Sequence, residues 1–265
     1  MRSLLKFFLR SFLKCAAKLT LFLHRPRVIA LAGSTNKSFV KDEVQAVLRN
    51  APFSVRVTPR NFNTDVGLPL SILGLPSGYG DYRAWLPILS QSIRSVFHWP
   101  FPEVLVLEFG MSNRGDMRYL LSIVHPDIVV LTGVTQRYAE HFSDINAMMK
   151  EYGLLVRSMK RDGLLVFNGD SMRLRKIAES FPGKRVSFGL SLACDWQARD
   201  VKRVATGESF CVWHSGKLVE ESRIDRFGEH HVFARLASMA VREHLSFLHR
   251  EPVLIDKVAK KPVLF

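Results

Sequence analysis

From Arg27 onward, short β-branched or leucine-rich runs alternate with longer stretches of helical periodicity, the pattern of a parallel sheet covered by helices on both faces. The runs Val28–Ala32, Val55–Thr58, Glu103–Phe109, Asp127–Gly133 and Gly163–Phe167 predict strands. Helical spacing predicts helices over Ser38–Asn50, Tyr82–Phe97, Asp116–Val124, Asp144–Lys160, Ser171–Ser180 and His230–Leu248. After Lys184 the pattern shortens to Val186–Gly189, Val201–Val204 and Phe210–Trp213, which predicts a small antiparallel edge on the same domain. The fold class is therefore α/β, a mostly parallel sheet flanked by helices. Neither an internal repeat nor a low-complexity linker interrupts it, and Arg250–Phe265 is too short for another domain.

The segment 1–27 ahead of this domain has its own pattern. Basic residues at Arg2, Lys6, Arg10, Lys14 and Lys18 fall four apart, which keeps them on one slowly drifting helical stripe, and most of the remainder is Leu, Phe and Ala. No apolar run approaches the ~20 residues of a membrane-spanning helix or the ~7–15 of a signal-peptide core. Such a helix belongs on a surface. The interface of an anionic membrane suits it, each basic group there contributing about 1 kcal/mol. Packing of its apolar face on the following domain or on a partner, or a role as a transit peptide, fits the same pattern. The organisation expected is a basic amphipathic helix and linker at 1–27, one domain at 28–249 and a tail at 250–265.

Composition narrows the class. With 47% apolar residues, a 265-residue chain buries a full core and is no disordered tail. Cys15, Cys194 and Cys211 lie far apart, without the spacing of a zinc site or a disulfide framework, which points to a reducing, cytoplasmic compartment. The net charge of +14 is uneven, because every charged residue before Asp42 is basic. Charge alone would suggest nucleic acid, but the aromatic-interleaved basic motif that supports such binding is missing, and no nucleic acid is expected.

The candidate chemistry begins where strand Val28–Ala32 runs into Gly33-Ser34-Thr35-Asn36-Lys37-Ser38 and then a helix, the context a phosphate-binding loop requires. Backbone N–H groups and the helix N-terminus would surround phosphates, Lys37 would neutralise the β/γ oxygens, and the Ser38 hydroxyl would ligate Mg²⁺. The full GxxxxGK[ST] pattern wants glycine where Leu31 and Asn36 stand. Asparagine tolerates positive φ, so the loop can keep its shape at a modest strain cost. On this pattern alone an ordinary strand-to-helix turn fits equally well.

Five segments in order carry a resemblance to a known family. Gly33–Asp42 (GSTNKSFVKD) resembles the GSxGKTxTKE loop of the Mur ligases, and Thr58–Leu73 (TPRNFNTDVGLPLSIL) looks like the TPGNFNNxxGLPLxL stretch of their tripeptide:D-alanyl-D-alanine ligase branch. Val104–Val134 is similar to the strand bearing E[LM]G, its GxIxxL helix and the KPDxxVxxNV strand; Gly163–Asp170 (GLLVFNGD) and Gly228–Ala240 (GEHHVFARLASMA) resemble GxxxxNxDD and GxHNxxNxLAAxA. The resemblance covers about 28–249 and implies a P-loop-type central domain that binds ATP and Mg²⁺. It further implies that the domain phosphorylates a substrate carboxylate and lets an amine displace the phosphate to form an amide. Metal and lysine charge offset the repulsion between the reacting anions. By resemblance Lys37 and Ser38 serve the phosphates and a first Mg²⁺, Glu108 ligates a second, Asn61 and Asn63 shape a substrate loop, and His230 and His231 approach the adenine. From position alone Glu108 is a carboxylate at a strand's carboxyl end, where α/β sheets bind ligands, and the histidines are helix N-terminal residues.

The sequence also departs from the family. Asn36 replaces the loop glycine, Tyr138 of Tyr138-Ala139-Glu140 stands at a metal-binding histidine, and Tyr152 aligns with a carbamylated lysine that Lys150, about 200° away around a helix, does not replace. The family's flanking domains have no counterpart, so a partner would supply the third one. Two functions follow as expectations: an ATP-dependent carboxylate-amine ligase of peptidoglycan precursor synthesis acting on a UDP-linked muramoyl peptide, or a catalytically silent, membrane-associated ATP-binding interaction protein. Either would be cytoplasmic, with peripheral placement on the inner face of the plasma membrane as the role expected of the first helix.

Overall fold

The computed structural model describes residues 2–79, 82–135, 142 and 145–250. Its centre is one sheet in the order β2-β3-β1-β4-β5-β6-β7-β8-β9. The strands are β1 (Arg27–Ala32), β2 (Val55–Val57), β3 (Val104–Phe109), β4 (Ile128–Leu131), β5 (Leu164–Asn168), β6 (Lys184–Gly189), β7 (Trp196–Val204), β8 (Gly207–His214) and β9 (Lys217–Ile224). Neighbours pair in parallel through β7, and β8 and β9 add antiparallel. This is the mixed sheet with an antiparallel edge that the sequence predicts.

The inner strands are apolar at successive positions because both faces of the sheet are covered. On β1, Val28, Ala30 and Ala32 join one core and Ile29 and Leu31 the other. The first core packs under α5 (Asp116–Leu121), α6 (Ile145–Arg157) and α7 (Met172–Ala178), the second under α2 (Lys37–Val47) and α8 (Glu229–Arg250). Two elements escape the sequence prediction. The helix α3 (Gly67–Leu73) is buried at every position, so it has no polar face to create a helical period. Strand β9 lies at the sheet edge and is mostly charged or exposed, so it lacks the apolar alternation that marks a half-buried strand.

The N-terminal helix α1 (Arg2–His24) packs on the domain through Leu13, Ala16, Ala17 and Thr20, against α3 and α4 (Tyr82–Val96). A helix resting only on a membrane would leave that face free, so of the placements the sequence allows, docking on the domain is the one observed. The basic stripe is divided. Arg10 pairs with Asp65 at 3.1 Å and lies over the Tyr119 ring at 4.1 Å, and Lys14 donates to Ser122 Oγ at 2.6 Å, whereas Lys6 and Lys18 are exposed. Among the described residues no helix is long and apolar enough to cross a membrane. The tail 251–265 lies outside the described residues.

Candidate functional site

The strand order reverses around β1: β3 lies on one side, β4 on the other, and their carboxyl ends open a crevice. The loop Gly33–Asn36 crosses it. Gly33 has φ +144°, and a Cβ there would stand 2.3 Å from Thr132 Oγ1 and 2.9 Å from the Gly133 carbonyl, so the position requires glycine. Ser34 N–H donates to the Gly133 carbonyl at 2.8 Å, and Thr132 Oγ1 donates to the Thr35 carbonyl at 2.5 Å, tying the loop to the end of β4. Asn36 closes the turn in the left-handed region, φ 67° and ψ 1°, directly before α2. The substitution that weakens the sequence pattern thus adopts the conformation for which a glycine is usual.

Lys37 opens α2 and folds its Nζ back onto the Gly33 carbonyl at 2.5 Å, spanning the concavity of the loop. Burial lowers its pKa, and the charge of Glu108 opposes that shift. An anion in the loop would restore the lost charge stabilisation. Ser38 follows on the first turn, exposed.

Beside the loop is a cavity of about 670 Å³, walled by Gly33, Ser34 and Lys37, by Asn63 to Asp65, by Gly110 to Asn113, and by Asp116, Tyr119 and Tyr152. Arg10 reaches it from α1. Asn63 is held there because its carbonyl accepts the Gly110 N–H at 2.9 Å, and a side chain on Gly110 would strike the Asn63 amide. Asn61, in left-handed geometry at φ 66°, is exposed and outside this wall. Sequence reasoning missed Arg10, Asp65 and Tyr119. The four-residue basic spacing groups Arg10 with Lys14, but no local signal says that their face meets Tyr119.

Glu108 is the penultimate residue of β3, its N–H held by Thr58 Oγ1 at 3.2 Å. Its carboxylate, however, is buried against Lys41 Nζ at 2.9 Å, with side-chain exposures of 7% and 5%, and it forms no part of the cavity wall. An electrostatic observation bears on the metal-ligand expectation: α2 supplies its own cation to this carboxylate. Tyr152 is almost wholly buried on α6, and burial raises its phenol pKa further, so it stays neutral. Lys150 is exposed on the same helix. Tyr138 and Glu140 lie outside the described residues. Among the described residues no three His, Cys, Asp or Glu gather as a metal site.

His230 and His231, at the start of α8, sit on the other side of α2. Their rings lie 4.5 and 4.6 Å from Phe39 and 4.3 Å from each other. Desolvation and the neighbouring His230 lower the pKa of His231, which favours a neutral, flat surface. They are brought to α2 but not into the cavity.

Residues 100–242 match the family model of the Mur ligase middle domain. The chain is 26% identical over 215 residues to the UDP-N-acetylmuramoyl-tripeptide--D-alanyl-D-alanine ligase of Bacillus subtilis, covering 81% of this chain and 40% of that protein. The solved structure of MurF ligase from Thermotoga maritima in complex with ADP aligns at TM-score 0.73 and 24% identity, over 89% of this chain and 49% of that one. MurF from Acinetobacter baumannii aligns at TM-score 0.71 and 18% identity, over 89% and 47%. The chain therefore spans between 40% and 49% of the length of these relatives. With more than half of its residues matched by the family model, the chain belongs to the Mur ligase family, through that family's middle domain.

Proposed function

We propose that this chain binds MgATP at Gly33–Ser38 and provides the carboxylate-activating half of a Mur-type carboxylate-amine ligase in peptidoglycan precursor synthesis. The observation that carries this reading is the loop itself: Gly33 and left-handed Asn36 shape a concavity that Lys37 spans, opening on a cavity large enough for reacting groups. In this reading the Lys37 ammonium leaves the Gly33 carbonyl for the β/γ-phosphate oxygens. A carboxylate oxygen of a UDP-linked muramoyl peptide then attacks the γ-phosphorus as the bond to the bridging oxygen breaks and ADP departs. An amine next attacks the acyl carbon, inorganic phosphate leaves and the nitrogen loses a proton. Asn63 and the Gly110 turn would orient the carboxylate, and the face made by Phe39, His230 and His231 would receive the adenine.

Magnesium fits the first position, where the Ser38 hydroxyl is an exposed hard-oxygen donor beside the phosphates; bound there it would screen charge in the phosphoryl transfer. A second ion does not fit the described residues, because Glu108 is already paired with Lys41 and Tyr152 is a buried neutral phenol. Glu108 is better suited to hold the lysines of α2 than to hold a metal. The proposed setting is cytoplasmic, with α1 against the inner face of the plasma membrane. Calorimetric titration of the full chain with MgATP tests the nucleotide reading. Lys37→Ala should weaken binding about 100-fold, as expected for loss of a partly buried cation contact worth ~2–3 kcal/mol. Equal affinities for the two proteins would overturn it.

A further inference from the structure

The docking of α1 on the domain leaves a second apolar face uncovered. Leu13, Ala16, Ala17 and Thr20 point inward, yet Phe8, Phe12, Leu19, Phe22 and Leu23 lie on the opposite side, all exposed, with Phe8 at 60% and Phe22 at 68%. Their spacing of four and seven residues makes one stripe. A soluble helix docked on its own domain has no use for phenylalanines on its far side. The neighbouring helix adds to the patch. On α4, Ile93 is exposed, as are Phe97 and Trp99 just beyond it, and Trp99 stacks with His24 at the end of α1, with centroids 6.0 Å apart. The apolar surface therefore continues from one helix to the next.

Charge selects the occupant. Neither α1 nor α4 contains an aspartate or glutamate, and Lys18, Arg25 and Arg94 are exposed beside the apolar residues. A second copy of this chain, with net charge +14, would bring cations against cations. A bilayer rich in anionic headgroups offers both a place for Phe and Trp at the depth of the acyl boundary and counter-charges for the flanking lysines and arginines. We propose that the outward faces of α1 and α4 form a lipid-docking surface on which the domain lies against an anionic membrane. The stripe differs from the basic one expected of a free helix, because Arg10 and Lys14 are turned inward to Asp65 and Ser122. This inference does not depend on the nucleotide reading.

The test is co-sedimentation of the full chain with vesicles of phosphatidylcholine, alone or with about one-third phosphatidylglycerol. Wild type should partition onto the anionic vesicles. Phe8→Ser with Phe22→Ser should weaken that partition by about tenfold or more, since both rings leave the interface. Lys18→Gln with Arg94→Gln should weaken it only where phosphatidylglycerol is present. Leu218→Ser, which alters an exposed apolar residue on β9, should change nothing. Circular dichroism and Tm of each variant keep a folding defect from counting as lost binding. Absence of partition by the wild type, or equal partition by the phenylalanine variant, overturns the proposal. So does a wild-type dimer in sedimentation velocity that the phenylalanine substitutions dissolve.

Discussion

Replacing Lys41 by Met tests what holds the carboxyl end of β3 together. Lys41 and Glu108 meet at 2.9 Å with 5% and 7% of their side chains exposed, so water solvates neither charge appreciably. Met conserves the length of the lysine stem and removes the ammonium, which leaves a buried carboxylate without its closest partner. Breaking one side of such a pair costs about 3–5 kcal/mol. The Glu108 charge is also felt by Lys37, whose ammonium would remain. The expected loss is therefore at the lower end, about 3 kcal/mol. Glu108→Gln should cost a similar amount, because it strands Lys41. The double variant Lys41→Met with Glu108→Leu should cost less than either single change, because no buried charge is left. Urea unfolding followed by circular dichroism gives the three values and their coupling energy. Single substitutions that each cost under about 1 kcal/mol would refute the reasoning, because they would mean that the site is wet and the pair screened.

The remaining predictions concern the loop and the pH response. Gly33→Ala should abolish measurable ATP binding and lower stability by about 2 kcal/mol or more, since its Cβ meets Thr132 and Gly133 in a conformation that L-residues rarely adopt; an unchanged calorimetric titration would contradict the loop geometry. His244, buried on α8 with desolvation and then Lys184 and Arg27 opposing its charge, has its pKa lowered to about 4. The unfolded chain binds a proton near pH 6.5 and the folded chain only near 4, so stability is complete above pH 6.5 and falls as pH drops through that window. Urea midpoints should record a loss of roughly 2–3 kcal/mol that His244→Leu largely removes. A wild-type profile as flat as that of the variant would count against the buried neutral histidine.

The legible parts of the fold were those in which local pattern and tertiary environment agree. The strands β1, β3, β4 and β5 are covered on both sides, so their buried positions read as unbroken apolar runs, and the loop after β1 announces itself by glycine and lysine at fixed offsets. Asn36 was legible in its conformation, because its left-handed tolerance follows from residue type alone. The helix α3 was hidden by complete burial and β9 by its exposed, largely charged surface. At the site, Lys37 and Asn63 reach the cavity, but Glu108 does not, and the cause is Lys41 one turn along α2. Sequence places both residues beside the loop without saying that their side chains meet. The cavity's other cation, Arg10, arrives from a helix whose docking depends on long-range contact with α3 and α4.

That helix joins the two proposals in one physical argument. Its inward face is short residues and Leu13, which lets the backbone approach α3 closely enough for Arg10 to reach Asp65 and Tyr119 in the cavity wall. Its outward face is aromatic. A helix with its side chains is about 10–12 Å thick, so a bilayer touching Phe8 and Phe22 lies roughly one helix diameter from the cavity. A shift of α1 on its bed of small residues would be read directly by the Arg10–Asp65 pair, because Arg10 sits on α1 and Asp65 in the loop that leads into α3. The pair is about two-fifths exposed on each side, so it contributes little to stability and can rearrange readily. If both proposals hold, membrane contact and the shape of the cavity would be coupled through α1 rather than through the sheet.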